Sequence, residues 1–423
     1  MMRQLHAYCV FFALAVGHTA ANSGLPICQN TVIIPNDVTE IPASEYSSCH
    51  TINTLIFEEN STLETIGNYA FYSRSSLDSV IAIPDSVKFI NTSAFASSAI
   101  TGLSFGNESQ LEVIGDYAFY NTKGLNTKIT IPYSVKSINE HAFDSSVITG
   151  LSFKNESQLE IIGDSAFYNT SELLANITLP NSVKSINGRA FWLSAITGLG
   201  FDNGSQLQSI GTKAFYGTNR LTTNLTIPSS VVLIDASAFY SSNITGLYFE
   251  NGSQLETIGI NAFYKTYQLA VDIIIPRSVK SINNRAFEKS ATTGISFESS
   301  SQLLTLGDQV FYKSSIQYFV MPESITTIGH DILSDCSELR RVVILGNNTW
   351  DSAHSVTNLV NSLCTVKEEV CIYGDSTRFT DIIQNANGVC DLDLCTSATT
   401  APATITTSAT TTTSATTAPA ATT

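Results

Sequence analysis

Charge is what this chain has least of. Asp, Glu, Lys and Arg make up 13% of its 423 residues, against roughly a quarter in an ordinary globular domain. The 21 Lys and Arg are scattered and the formal net charge is −15. Nucleic acid and anionic lipid are therefore excluded as partners, because either needs grouped cations to displace counterions. Histidine is scarce as well. Past the leader only His50, His141, His330 and His354 remain, each in a different part of the chain. None stands at the spacing of a metal site or a catalytic triad, and each reads as a solvent-exposed loop residue. The sequence holds no G-x-S-x-G, H-E-x-x-H, G-x-G-x-x-G or Walker loop and no C-x-x-C. An enzyme, a cofactor and a metal site are not expected. A membrane span is also missing, since it needs about 20 apolar residues and the run Ala7 to Val16 is much shorter. With Arg3 before it and Ala20 and Ala21 after it, that run reads as a secretory signal peptide over residues 1–22.

What the chain does have is repetition. TGLSFGNESQLEVIGDYAFYNT at 101–122 returns 48 positions later with three of its 22 letters changed. The true period is half of that. Phe71, Phe95, Phe119, Phe143, Phe167, Phe191, Phe215, Phe239, Phe263, Phe287 and Phe311 fall every 24 residues, as do the Ile positions from Ile66 to Ile282, with Leu306 in the last place. The residue after each Ile alternates between Gly and Asn or Asp, types that tolerate a left-handed bend. Two flavours of unit alternate. One carries a strand triplet ending in proline, such as ITIP at 129–132, and the other carries ITGLSF or a relative. Apolar residues recur with period two in both, which predicts one short half-buried strand per unit. The arm SQLEVIGDYAFY places Leu111, Ile114, Ala118 and Phe119 at three- and four-residue spacing, which predicts a helical or turn-like return. A 24-residue unit cannot bury its own Ile, Ala and Phe, so neighbours must stack into columns. The expected fold class is an α/β solenoid with one short parallel strand per unit, capped at both ends and followed by a disordered tail.

The pattern L-x-x-I-x-I-P-x-S-V-x-x-I-x-x-x-A-F resembles the leucine-rich repeat of the BspA-like type, found on microbial and protist surface proteins, over about residues 30–345. Two departures stand out. Only Cys336 occupies the place after A-F where that family often has cysteine, and the strand unit often carries one extra residue, as at 125–132. The resemblance implies a parallel-strand solenoid and adhesion to host or matrix proteins.

The expected organisation is a signal peptide at 1–22, an N-terminal cap at 23–50, a repeat solenoid at 51–345, a cysteine-containing C-terminal cap at 346–395 and a Thr/Ser/Ala/Pro-rich mucin-like stalk at 396–423. Cys28 and Cys49 bracket the first unit and predict a capping disulfide. Cys364, Cys371, Cys390 and Cys395 predict two bridges of open connectivity in the C-terminal cap, which leaves Cys336 as a buried thiol or an intermolecular link. Eleven N-x-[ST] sequons, at Asn60, Asn91, Asn107, Asn155, Asn169, Asn176, Asn203, Asn224, Asn243, Asn251 and Asn347, predict a secreted or surface-displayed glycoprotein. The middle residues of the strand triplets point away from the interior. Most are small and polar, but the last third carries Tyr248, Ile274, Val320 and Val343, an apolar stretch expected to contact an extracellular protein or glycan ligand. The competing expectation is a structural coat or cell-wall glycoprotein with no specific ligand.

Overall fold

The computed structural model describes residues 24–345 and the strand Glu369–Tyr373. The chain divides into two compact units, Met1–Leu269 and Ala270–Thr423. In the first, parallel strands pair two by two: Thr31–Ile34 with Thr54–Phe57, Val80–Ile83 with Gly102–Phe105, Lys128–Ile131 with Gly150–Phe153, Asn176–Leu179 with Gly198–Phe201, and Asn224–Ile227 with Gly246–Phe249. In the second, Asp272–Ile275, Gly294–Phe297, Tyr318–Met321, Arg341–Leu345 and Glu369–Tyr373 form one parallel sheet in that order.

The pairing in twos follows from spacing. Strands of the first unit begin at residues 128, 150, 176, 198, 224 and 246, so intervals of 22 and 26 residues alternate. Partners are joined across the shorter interval. The longer one inserts an extra tight turn, seen where the Leu173 N–H donates to Thr170 O (3.2 Å) and the Leu174 N–H to Glu172 O (2.8 Å), and the ladder breaks there. On another side of each coil, two-residue strands such as Val113–Ile114, Ser137–Ile138 and Ile161–Ile162 keep the strict 24-residue step and pair without interruption.

The core is a set of columns. In the first unit the Phe rings from Phe71 to Phe263 are fully buried and stack at 5.1 to 5.5 Å between centroids. Tyr46 closes the N-terminal end of this column, its ring 5.2 Å from Phe71 and its hydroxyl donating to Pro26 O. Cys28 and Cys49 are bonded beside it, as their spacing predicts.

The structure corrects the α/β class. No helix occurs among the described residues, and the return arms are successions of turns. The reason lies in where the N–H groups go. The N–H groups of Tyr117, Phe119 and Asn121 each reach 2.8 Å across to the next coil, onto Glu140 O, Ala142 O and Asp144 O, while Ala118 and Tyr120 donate back along their own chain to Gly115 O and Tyr117 O. A helix needs all its donors along one axis. Here alternate donors are drawn sideways, and two residues per arm take the left-handed conformation to allow it, for example Tyr117 (φ 57°) and Asn121 (φ 54°), or Arg189 and Leu193 (both φ 57°). The glycines after the Ile column are corrected too. Gly115 and Gly163 are not among the residues of positive φ; what they supply is room, as argued below.

Cys336 is buried, unbonded to another cysteine, and its thiol donates to Phe311 O at 3.0 Å. Burial, with Asp335 nearby, pushes the thiol up to about 11 against the hydrogen bond from Ser314. Because the folded value lies above the unfolded one, the native state holds this proton more tightly. That contribution is complete below the unfolded value and is lost as pH rises toward about 11. Iodoacetamide at pH 8 is expected to leave Cys336 unmodified in the native protein and to label it once denaturant is added. Rapid native labelling at that cysteine, read by peptide mass, contradicts the buried site.

Candidate binding faces

Strand alternation decides what each unit shows to solvent, because successive side chains in a strand face opposite ways. The burial of Asn224–Ile227 and Asp272–Ile275 reads exposed, buried, exposed, buried. Tyr248 and Ile274, each third in its strand, are accordingly exposed, by 44% and 40%. Tyr248 pairs in register with Thr226, and its ring lies down along its own strand, with Cε2 only 2.7 Å from where a Cβ on Gly246 would stand. The glycine of G-L-x-F is what permits that pose.

Val320 and Val343 depart from expectation. They are buried, at 7% and 4% exposure, because they face each other in register across adjacent strands and Tyr318 and Leu345 close over them. Tyr318 lies across Gly294, and burial together with a hydrogen bond to Asp272 holds its phenol well above the usual range. A shallow recess of about 230 Å³ in this unit has Phe297, Val320 and Leu345 as its apolar floor and Glu298 and Glu323 on its rim. The apolar patch of the second unit is thus Ile274 alone plus this recess. In the first unit a second recess, of about 250 Å³, lies between the strands Gly102–Phe105 and Lys128–Ile131, with Lys128 and Lys154 on it.

Of the sequon asparagines, Asn60, Asn107, Asn155, Asn169, Asn176, Asn203, Asn224 and Asn251 are exposed, and Asn91 and Asn243 are half-buried. Asn107, Asn155, Asn203 and Asn251 occupy the turn after every second strand, and Lys154 donates to the Asn107 side chain at 3.0 Å. Asn176 and Asn224 open their strands. Asn347, the side chains of Cys364, Cys371, Cys390 and Cys395, His354, the leader and the stalk lie outside the described residues.

Two arrangements escaped the reading by motif. His141, expected as an exposed loop residue, is half-buried: its ring stacks on Tyr117 at 4.6 Å and its Nδ1 sits 2.6 Å from Asp144 Oδ2, whose other oxygen accepts from the Ser145 hydroxyl at 2.7 Å. The order is Ser–Asp–His. The serine bonds the acid and not the base, so nothing activates it as a nucleophile. The second arrangement is an outer ring column, the residue after each core Phe: Tyr168, Trp192, Tyr216, Tyr240 and Tyr264 stack in sequence at 5.5, 5.1, 4.5 and 4.6 Å. Following the position after A-F at 24-residue steps would have exposed it.

A family model described as a BspA type leucine rich repeat region (6 copies) matches residues 27–149, 108–204, 146–270, 201–302 and 256–365. The chain belongs to that family. Its repeat then accounts for one strand, one short strand and one buried A-F per coil. No curated protein matches the chain. Solved structures similar to this BspA-type chain include the pneumococcal vaccine antigen PcpA (20% identity, 87% of this chain and 79% of that one, TM-score 0.40). Others are a leucine-rich repeat protein from Bacteroides ovatus (22%, 82% and 94%, 0.41) and a leucine rich cell surface protein from Faecalibacterium prausnitzii (22%, 77% and 83%, 0.36). No functional weight is placed on them. No helix of the described residues is long and apolar enough to cross a membrane.

Proposed function

We propose that this protein is a secreted or cell-surface recognition protein whose BspA-type solenoid binds an extracellular protein or glycan through its strand face. Adhesion, suggested by the family resemblance, is the use that fits best. The observation that carries the reading is Tyr248: a large ring laid flat on an open parallel-strand surface among small polar neighbours, with no packing duty of its own. Exposed aromatic anchors of this kind dominate protein contacts. The apolar leader, the exposed sequons and the Cys28–Cys49 bridge support an oxidising, glycosylating export route. A coat or wall component is favoured instead by the row Ser104, Thr130, Ser152, Thr178, Gly200 and Thr226, which offers little to select a ligand.

The two readings separate by experiment. Purified full-length protein is expected to bind a laid-down extracellular matrix saturably as a monomer. Tyr248→Ala and, separately, Ile274→Ser are each expected to weaken that binding, Tyr248→Ala by about tenfold. Self-association without saturable capture would favour the coat, and unchanged capture by Tyr248→Ala would discard the strand-face anchor.

A further inference from the structure

We propose that the outer ring column of the first unit, Tyr168, Trp192, Tyr216, Tyr240 and Tyr264, is a binding strip for an acidic polysaccharide, separate from the strand face. This is a second surface, and it stands whether or not Tyr248 anchors a protein.

The fold does not require these rings. The same column holds Ala96 and Asp144, yet the core Phe column is undisturbed beside them: Phe95–Phe119 and Phe143–Phe167 stack at 5.5 and 5.4 Å, like the rest. The indole N–H of Trp192 has no hydrogen-bond partner among the described residues, so the tryptophan is not held there by a polar role in the coil. Five successive aromatics are therefore an addition to the repeat.

Stacking decides what they show. Each ring face inside the column is covered by the next ring, and Tyr216, Tyr240 and Tyr264 are close to parallel, at 8° and 20°. What is left toward solvent is ring edge, which is the positive part of an aromatic quadrupole. Cations reinforce it. Arg189 and Lys213 lie over Trp192 at 5.4 and 5.1 Å, and Lys265 over Tyr264 at 5.3 Å. In the return arms at 187–197, 211–221, 235–245 and 259–269 the charged residues are Arg189, Lys213, Arg220 and Lys265 against Asp235 alone. Asp235 is already occupied by the Thr212 hydroxyl (2.5 Å) and the Ala236 N–H (2.7 Å). A strip of net positive charge in a chain of −15 is a local exception, and it faces an anion.

The backbone argues for sugar over polypeptide. The N–H groups of Arg189, Phe191, Leu193, Lys213, Phe215 and Gly217 are all spent on coil-to-coil bonds of 2.7 to 2.9 Å, so no strand can add to this side. A chain bearing sulfates or carboxylates needs no main-chain donors, only cations and phenol edges repeated at the rise of a coil, about 4.8 Å. A pyranose ring is of similar length.

The test uses the full-length protein, with N-glycans removed enzymatically, and heparin as the probe, with neutral dextran and poly-glutamate alongside. Saturable heparin binding that weakens with added salt is expected, with none to dextran. The double variant Arg189→Gln/Lys213→Gln should lower heparin affinity by about tenfold, since two charge contacts go. Gln309 already occupies the equivalent left-handed position (φ 57°), so glutamine fits there, and an unshifted Tm confirms folding. Lys88→Gln/Lys136→Gln, on the face of the two-residue strands, should change nothing. Trp192→Ala adds a second, uncharged probe and should also weaken binding. Heparin affinity unchanged in Arg189→Gln/Lys213→Gln, or poly-glutamate bound as tightly as heparin, overturns the proposal.

Discussion

Phe191→Ala is expected to destabilise the first unit by about 3–5 kcal/mol. The side chain is fully buried, with Phe167 at 5.1 Å on one side and Phe215 at 5.3 Å on the other, so truncation removes two ring contacts and leaves a void between coils. Nothing nearby can fill it. The rings hold their places because each is fixed by its own coil, through the Phe167 N–H on Ala190 O (2.7 Å) and the Phe191 N–H on Ala214 O (2.8 Å), and neither neighbour can move in without breaking such a bond. In a repeat body each coil touches only its neighbours, so the loss should appear locally. Hydrogen exchange should accelerate at the amides of Phe167, Phe191 and Phe215 before those near Tyr46, and the urea midpoint should fall. Phe191→Leu, which keeps more of the volume, should cost less. An unmoved midpoint for Phe191→Ala would mean that the ring column is not what joins the coils.

That column was legible in the sequence because burial and period coincide: Phe and Ile recur at 24 residues, and a residue that packs on its own copy has no freedom to drift. The strands were legible for the same reason, since alternation survives in four-residue stretches such as Lys128–Ile131. The return arm was not. Its three- and four-residue apolar spacing is that of a helix, and the left-handed residues that break it are Tyr117, His141, Arg189 and Leu193, types with no special liking for that conformation. Hydrogen bonds to the next coil hold them there, and a single unit does not contain that information. Val320 and Val343 misled for a related cause. Their triplets alternate like the others, but exposure at the third position depends on the partner across the ladder, and only where valine meets valine between Tyr318 and Leu345 does the position close. The outer rings were present in every copy but went unread, because the residue after A-F varies in type while keeping its place.

Gly163→Ala is expected to cost about 1–3 kcal/mol, and the reason is space. Its N–H donates to Ile138 O at 2.7 Å, which draws the two backbones together until a Cβ on Gly163 would stand 2.6 Å from Asn139 C and 2.8 Å from Glu140 N. Backbone atoms cannot rotate away as a side chain can. Gly115 has the same fit against Ile90 O and Asn91 C, at 2.7 and 2.9 Å. In the coils between, Asn91, Asn139 and Asn187 bear a Cβ at the equivalent place, which makes the tight approach a property of alternate junctions and explains why glycine recurs at 48 residues and not at 24. Were a left-handed bend the requirement, asparagine would serve nearly as well as glycine. Gly163→Asn therefore separates the two causes: if space rules, it should be at least as costly as Gly163→Ala, whereas Asn139→Ala should stay within about 0.5 kcal/mol of the parent. Urea midpoints at constant slope measure all three, and a Gly163→Asn protein as stable as the parent would return the glycine to a conformational role.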